Sequence, residues 1–144
     1  MSDLSEQVRA GLFAKLNVSD VTDLASGGVH FKVAPSTKDA YRHVVVDRVP
    51  GNVLRSLGGN IVAEEDLWMV KALVESAGSQ TLSPPQLGEQ ILTACEDAIG
   101  ESLTLTSGEA LLARRRNDMP PIIDDQSDRQ VWQFGFYLGV TAAP

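Results

Sequence analysis

The segment Ser83–Gly100 (SPPQLGEQILTACEDAIG) constrains the fold more than any other part of this chain. Ser83 and Gln86 have the spacing of a capping box, and two prolines follow the cap at positions whose N–H groups have no intrahelical partner. Gly100 predicts the left-handed residue at which the helix ends. Because one side of this helix is apolar, it must lie on a sheet or on another helix. The apolar residues recur at steps of three and four: Leu87, Ile91, Ala94, Cys95, Ala98 and Ile99.

The length and composition predict one globular domain, residues 1–144. The chain has 144 residues, of which 43% are hydrophobic and 22% are charged, as in ordinary proteins with a sizeable core. No apolar run approaches the ~20 residues needed to cross a bilayer, and the N-terminus lacks the pattern of a secretory signal. A single cysteine, Cys95, excludes an internal disulfide. We therefore expect a protein that folds in a cytoplasm and does not act at a membrane.

The segments before the central helix alternate in type. Residues 50–65 contain glycine, proline and asparagine breaks and predict a long mobile loop or an extended hairpin arm. Asp66–Glu75 (DLWMVKALVE) fits a helix or a strand, and its Trp and Val content favours a strand that is apolar on both faces. The elements predicted before these are a helix Asp3–Leu16, a loop Asn17–Gly28, and strands Val29–Val33 and Tyr41–Val49.

After the central helix, Arg129–Val140 is the clearest strand. Its residues Trp132, Phe134, Phe136, Leu138 and Val140 share one face, which we expect to form the bed for the central helix. The other elements predicted here are a brief strand Leu103–Leu105, an edge strand Ala110–Arg116, a polar loop Asn117–Asp128 and a flexible tail Thr141–Pro144.

The order of these elements is helix, three strands, helix, three strands. Such an order predicts an α+β fold. We expect a mainly antiparallel sheet, with the long helix and the N-terminal helix packed on one side of it.

The sequence predicts no catalytic, cofactor or metal site. His30 and His43 are the only histidines, and no serine stands in a nucleophile elbow. One cysteine and two distant histidines cannot make a zinc cluster, and Gly58–Gly59 is not followed by the lysine of a phosphate-binding loop. The aspartates of the predicted polar loop lack the spacing of a calcium site, which favours a solvated acidic loop. These aspartates are Asp118, Asp124, Asp125 and Asp128.

The charge pattern is acidic overall with one local basic run. A net charge of −7 argues against general affinity for nucleic acid, although DNA can slide past such a protein without being held. The run Arg114–Arg116 has three interpretations that the residues leave open. It is a solvated strand end neutralised by the aspartates that follow, an ion pair between subunits, or a contact with DNA.

Taken in order, these elements resemble the tail terminator, or tail completion, proteins of long-tailed bacteriophages. The resemblance covers nearly the whole chain and depends on pattern and order. The matching features are the N-terminal helix, YRHVVVDRV, the arm leading into DLWMVKALVE, the central helix, LTL, the RRR…Pro…Asp segment and RQVWQFGFYLGV. The chain departs from the family in its longer arm around Leu54–Ile61.

The resemblance implies a structural virion protein that is not an enzyme and has no cofactor. Proteins of this family form a sixfold ring at the head-proximal end of the tail tube, stop tube polymerisation, and join the tail to the neck and head. The implied partners are further copies of the chain, the tail tube protein and a neck or head-completion protein, with DNA passing through the lumen. The implied location is the virion, after assembly in the host cytoplasm.

A closed ring needs two complementary patches on each subunit. The candidates are apolar residues of the arm, the basic run and the acidic segment. These residues are Leu54, Leu57 and Ile61, then Arg114, Arg115 and Arg116, then Asp124, Asp125 and Asp128.

Three alternatives remain open at this point. The chain is another head–tail joining, neck or tail-tube component, and a tube subunit would polymerise into filaments by itself. It is a small α+β enzyme or ligand-binding domain that uses His43, Asp47 and the acidic loop. Or it is a monomeric binding module with an exposed sheet edge.

Overall fold

The computed structural model describes residues 3–31, 42–75, 83–107, 109–126 and 129–144. Parts of the first two predicted strands, residues 32–33 and 41, lie outside these ranges. The described residues form three helices: α1 (Asp3–Leu16), α2 (Ser19–Thr22) and α3 (Pro84–Ile99). They also form five strands: β1 (Val29–Phe31), β2 (Arg42–Arg55), β3 (Ile61–Glu75), β4 (Glu109–Gln126) and β5 (Arg129–Ala143).

The five strands form one sheet in the order β1-β2-β3-β5-β4. Every neighbouring pair is antiparallel except β1 and β2, which are parallel. The predicted α+β fold with a mainly antiparallel sheet is therefore confirmed. The ambiguous segment Asp66–Glu75 is part of β3, the middle strand. Among the described helices, none combines the length and apolar character that a membrane span requires.

α3 lies across β3 and β5 and fills the middle of the core. Its predicted capping box is present, because the Ser83 hydroxyl accepts from the Gln86 N–H and the Gln86 side chain accepts from the Ser83 N–H. Gly100, with φ of 65°, follows the last turn. Gly88 lets the helix approach the sheet closely, since a Cβ there would overlap the Phe134 ring. The side of α3 that faces the sheet buries Leu87, Gly88, Ile91, Leu92, Cys95 and Ile99.

Alternate residues of the three central strands form the apolar face beneath the helices. The predicted face of β5 lies here, with Trp132 partly buried and its ring stacked on that of Phe134. α1 packs on α3 and on β5 and buries its own apolar stripe. The buried residues of these three strands on this face are Val44, Val46, Trp68, Val70, Ala72, Val74, Phe134, Phe136, Leu138, Val140 and Ala142, and those of α1 are Leu4, Val8, Leu12 and Leu16.

The prediction of a polar loop at Asn117–Asp128 is wrong, because β4 continues through this segment to Gln126. Asp124 and Asp125 pair with the first residues of β5. Pro120 and Pro121 lie on an edge strand, and the one whose N–H would point outward loses no ladder partner of the described sheet. The register between β4 and β5 shifts at the two prolines, which is how the ladder accommodates them.

Three shorter segments also differ from their predictions. The predicted tail Thr141–Pro144 is mostly the end of β5, and Ala142 within it is buried. Leu103–Leu105 makes only an isolated bridge rather than a strand. The predicted loop Asn17–Gly28 contains α2, whose Val21 is buried. Each of these segments is shaped by contact with distant parts of the chain, which a short local pattern cannot show.

The second face of the sheet carries no helix in the described part of the chain. On β3 it presents Leu67, Met69 and Leu73, all of them half-buried. Between them Lys71 places its Nζ 3.2 Å from a carboxylate oxygen of Asp47 on β2. β3 is therefore apolar on both faces, as its sequence indicated, although helices cover only one of them.

Candidate assembly surfaces

The ends of β2 and β3 project from the sheet as a two-stranded arm, defined here as residues 50–65. The pairing between β3 and β5 ends at Glu64, opposite Ala142. Beyond that point Leu54 pairs with Ala63, and each strand of the arm has only the other as its partner. Of the two forms that the sequence left open, a loop and a hairpin, the structure has the hairpin.

A tight turn closes the tip of the arm. The Ser56 N–H donates to the Asn60 carbonyl at 2.8 Å, and the Gly59 N–H donates to the Ser56 carbonyl at 2.9 Å. Gly59 has φ of 85°, in the left-handed region that glycine adopts without a steric penalty. Arg55 closes the turn from the side by donating from Nη1 to the Gly59 carbonyl at 3.0 Å. These three hydrogen bonds stabilise the turn at the tip.

Large apolar side chains cover the arm and are open to solvent. Leu57, at the tip, is completely exposed and Leu54 is 51% exposed. Ile61, the third residue predicted here, is instead half-buried and packs against the core. Val53 and Val62 are also exposed, and our sequence reasoning missed them. A signal for them was present, because a hairpin that leaves its sheet has less of its surface covered than the strands within the sheet.

A buried cluster of charged and polar residues fixes the base of the arm to α1 and the sheet. Asp66 accepts from Nε and Nη2 of Arg48 at 2.9 and 3.2 Å and from the Gly51 N–H at 3.0 Å. The Ser5 hydroxyl lies within hydrogen-bond distance of both Asp66 and Glu64. Asp66 and Glu64 are buried, so these contacts are shielded from water. Sequence reasoning did not predict this cluster, because Ser5 lies far along the chain from Glu64 and Asp66.

The basic run lies far from Asp124 and Asp125 on the same strand. Arg114–Arg116 occupy the first half of β4, and Asp124 and Asp125 lie close to the turn into β5. Asp118 lies on β4 only two residues after Arg116, but ten residues separate Arg114 from Asp124, which at ~3.3 Å per residue places their Cα atoms roughly 30 Å apart. The fold therefore does not bring Arg114–Arg116 together with Asp124 and Asp125 within one chain. Asp128 lies outside the described residues.

The two histidines approach each other without forming a catalytic arrangement. The rings of His30 and His43 meet edge to face with centroids 6.1 Å apart. Burial, and then the neighbouring His30, lower the pKa of His43, and neither ring nitrogen of His43 has a hydrogen-bond partner among the described residues. A general base needs an orienting partner and access to substrate, and this imidazole has neither.

Two further kinds of reactive site are a metal centre and a nucleophilic thiol. Within the described ranges, no group of three or more His, Cys, Asp or Glu side chains is placed to hold a metal ion. Cys95 is buried in the core, and burial raises the pKa of its thiol to about 12. A thiol with so high a pKa stays protonated at neutral pH and is a poor nucleophile.

Comparison with solved structures shows that other proteins share this fold over their whole length. A chain described as "Virion of native gene transfer agent (GTA) particle" superposes with a TM-score of 0.66 at 14% sequence identity, over 98% of this chain and 99% of that one. A second solved structure superposes with a TM-score of 0.58 at 14% identity, over 96% of each chain. No protein-family model matches the sequence, and no curated protein does.

Proposed function

We propose that this chain is a structural subunit of a phage-like virion and acts as its tail terminator. In this proposal about six copies form a closed ring at the head-proximal end of the tail tube. The ring stops polymerisation of the tube and joins the tail to the neck and head. The observation that carries the proposal is the likeness to a chain of the gene transfer agent virion, which extends over 98% of this chain and 99% of that one.

The distribution of charge on β4 supports a ring. A closed ring of identical subunits needs a heterologous interface, in which two different patches of one chain meet in neighbouring copies. Arg114–Arg116 and the pair Asp124 and Asp125 carry opposite charges at separate positions on one strand. We expect the basic run of one subunit to face the acidic segment of the next, including Asp128.

The exposed arm and the overall charge support the same proposal. An exposed apolar hairpin is typical of a surface that becomes covered on assembly. The net charge of −7 suits a lumen through which DNA passes without binding. The remaining partners in this proposal are the tail tube protein on one face of the ring and a neck or head-completion protein on the other. The chain would assemble in the host cytoplasm and remain in the virion.

Native mass spectrometry over a range of protein concentrations, with negative-stain images of the same samples, tests the ring. We expect a closed ring of about six copies, and we expect added tail tubes to bind it at one end only. Open-ended tubes formed by the chain alone would instead identify a tube subunit. A chain that stays monomeric and does not bind tube ends would contradict the proposal.

A charge exchange tests the β4 interface within the ring. Replacing all three residues of Arg114–Arg116 with Glu should place like charges across the interface and prevent assembly, more strongly at low salt than at high salt. Adding Asp124→Lys and Asp125→Lys to that chain should restore rings. The control is Arg9→Glu, which changes an exposed arginine of α1 outside this interface. Rings that survive the triple substitution would exclude the basic run from the interface.

A further inference from the structure

A groove on the helical side of the molecule is lined by residues of all three helices or their junctions. It has a volume of about 610 Å³. Its apolar lining consists of Ala14, near the end of α1, Val18, which directly precedes α2, and Ala94 and Ala98, on α3. A volume within the roughly 300–1,000 Å³ of ordinary binding pockets has room for several side chains of a partner.

Charged residues also line the same groove. Lys15, Asp20 and Asp97 line it, which gives the groove one more negative than positive charge. None of the three forms a salt bridge within the described part of the chain. Asp20 and Asp97 are exposed. The groove therefore suits an apolar segment that carries a positive charge.

The tip of the arm has these properties. Residues 53–62 (VLRSLGGNIV) contain one charged side chain, Arg55, and four exposed large apolar side chains. The guanidinium of Arg55 donates to the Gly59 carbonyl, and no carboxylate of the described residues pairs with it. Leu57 is completely exposed, so it does not touch the groove of its own chain.

We infer that the tip of the arm of one copy docks in the groove between α1, α2 and α3 of the next copy, with Leu57 between the alanines and Arg55 against Asp97 or Asp20. This inference rests on the proposed function, because it adds a second contact, besides that of β4, between neighbours in the ring. The projecting apolar tip with its positive charge matches an apolar groove with a net negative charge. Both surfaces are exposed on the same molecule. Their contact between copies is heterologous, the kind that closes into a ring.

Disulfide trapping tests this contact directly. In a Cys95→Ala background, the variant Leu57→Cys with Ala98→Cys should give a ladder of covalent multimers on mild oxidation. A disulfide requires Cβ atoms about 3.5–4.5 Å apart, so the ladder reports close contact. Each single cysteine should give nothing larger than a dimer. The matched control pairs Leu57→Cys with Glu89→Cys, an exposed position on α3 that does not line the groove, and it should give no ladder.

The outcomes separate this inference from the proposed function. A ladder that ends at the ring size supports both. Rings in native mass spectra without a ladder from the Leu57 and Ala98 pair would overturn the docking and leave the ring in place. A ladder that continues without limit would support the docking and contradict a closed ring. Monomers alone, with no ladder, would overturn both.

A charge exchange gives an independent measurement on chains without added cysteine. Arg55→Glu should raise the concentration at which half of the protein is assembled by about two- to fivefold, as expected for loss of an exposed ion pair. Adding Asp97→Arg should reverse the shift. Glu89→Arg, at the position outside the groove, should leave the Arg55→Glu shift unchanged. An unchanged midpoint in the Arg55→Glu variant would remove the ion pair from the docking.

Discussion

The two ends of the β2–β3 hairpin have the same strand geometry and opposite surroundings. Near its base, β3 lies between β2 and β5 and under α3, and Trp68, Val70 and Val74 are each no more than 1% exposed. Near its tip, the same two strands leave the sheet, and Leu54 and Leu57 are open to solvent. Both ends are rich in apolar residues, so composition does not distinguish them.

The difference shows which apolar residues stabilise the subunit. Burial of apolar surface is the main favourable contribution to folding, and only the base of the hairpin obtains it within one chain. The tip would obtain it from another chain. Asp66 and Arg48 lie at the boundary between the two ends. Substitutions at the base, at this boundary and at the tip should therefore lower the free energy of unfolding by amounts that decrease in that order.

The largest expected effect is at the base. Trp68→Ala should lower the free energy of unfolding by about 3–5 kcal/mol, because it removes a large side chain and leaves a cavity under the helices. The indole Nε1 has no hydrogen-bond partner in the described part of the chain, so the loss is one of packing alone. Urea unfolding of the monomer, followed by circular dichroism, measures this change. Leu54→Ala on the arm is the matched control and should cost less than about 0.5 kcal/mol.

At the boundary, Asp66→Asn should lower the free energy of unfolding by about 1.5–3 kcal/mol, since it weakens hydrogen bonds to a charged group in a buried site. The control is Asp47→Asn, the same chemical change in the half-exposed pair with Lys71, which should cost about 0–1 kcal/mol. Equal effects of the two substitutions would mean that the Arg48–Asp66 pair does not fix the arm.

Much of the core could be predicted from sequence, because the patterns that specify it are local. The cap at Ser83, the stripe of α3 and the alternation in β5 are patterns within a few residues of each other, and each matched the structure. The course of β4 could not be predicted in this way. Pro120–Pro121 and the neighbouring aspartates are typical of a loop, and only their position on an edge strand makes a strand possible.

The surfaces were less predictable than the fold. The arm was recognisable as a hairpin candidate from its glycines, but the exposure of Val53 and Val62 depends on where β5 ends. The groove joins α1 and α3, which are separated by most of the sheet in sequence, and α2 within it was taken for a loop. Surfaces built from distant segments leave no local pattern, so Asp20 and Asp97 gave no signal of belonging to one site.

A smaller effect on the free energy of unfolding is expected from the protonation of His43, on β2, as the pH is lowered. Burial and His30 lower the pKa of His43 below its ordinary value of 6.5, so below about pH 6.5 the unfolded state binds more protons than the folded state. Above pH 6.5 the protonation of His43 should therefore not change the free energy of unfolding. Below that pH the free energy of unfolding should fall as the pH is lowered towards the folded-state pKa. Urea unfolding of the wild type and of His43→Leu between pH 5 and pH 8 measures the difference.

The difference in stability between the wild type and His43→Leu gives the direction of the pH effect. The wild type should lose stability relative to His43→Leu as the pH falls, because the variant has no imidazole to protonate at this site. His30→Gln should reduce the pH dependence without abolishing it, because burial is the larger cause of the lowered pKa. Parallel stability curves for the wild type and His43→Leu would contradict the assignment.

The smallest effect on folding is expected at the tip. Leu57→Ser should change the free energy of unfolding of the monomer by less than about 0.5 kcal/mol, because this side chain has no contact to lose. The same change at a buried position, Leu87→Ser, should be strongly destabilising, because it removes core packing and buries a hydroxyl. Thermal unfolding at a protein concentration too low for assembly measures both. If Leu57→Ser destabilised the monomer as much as Leu87→Ser, the tip would belong to the subunit's own core. If it left the monomer unchanged and weakened the ring, then an apolar side chain that contributes nothing to folding would have its energetic role in assembly.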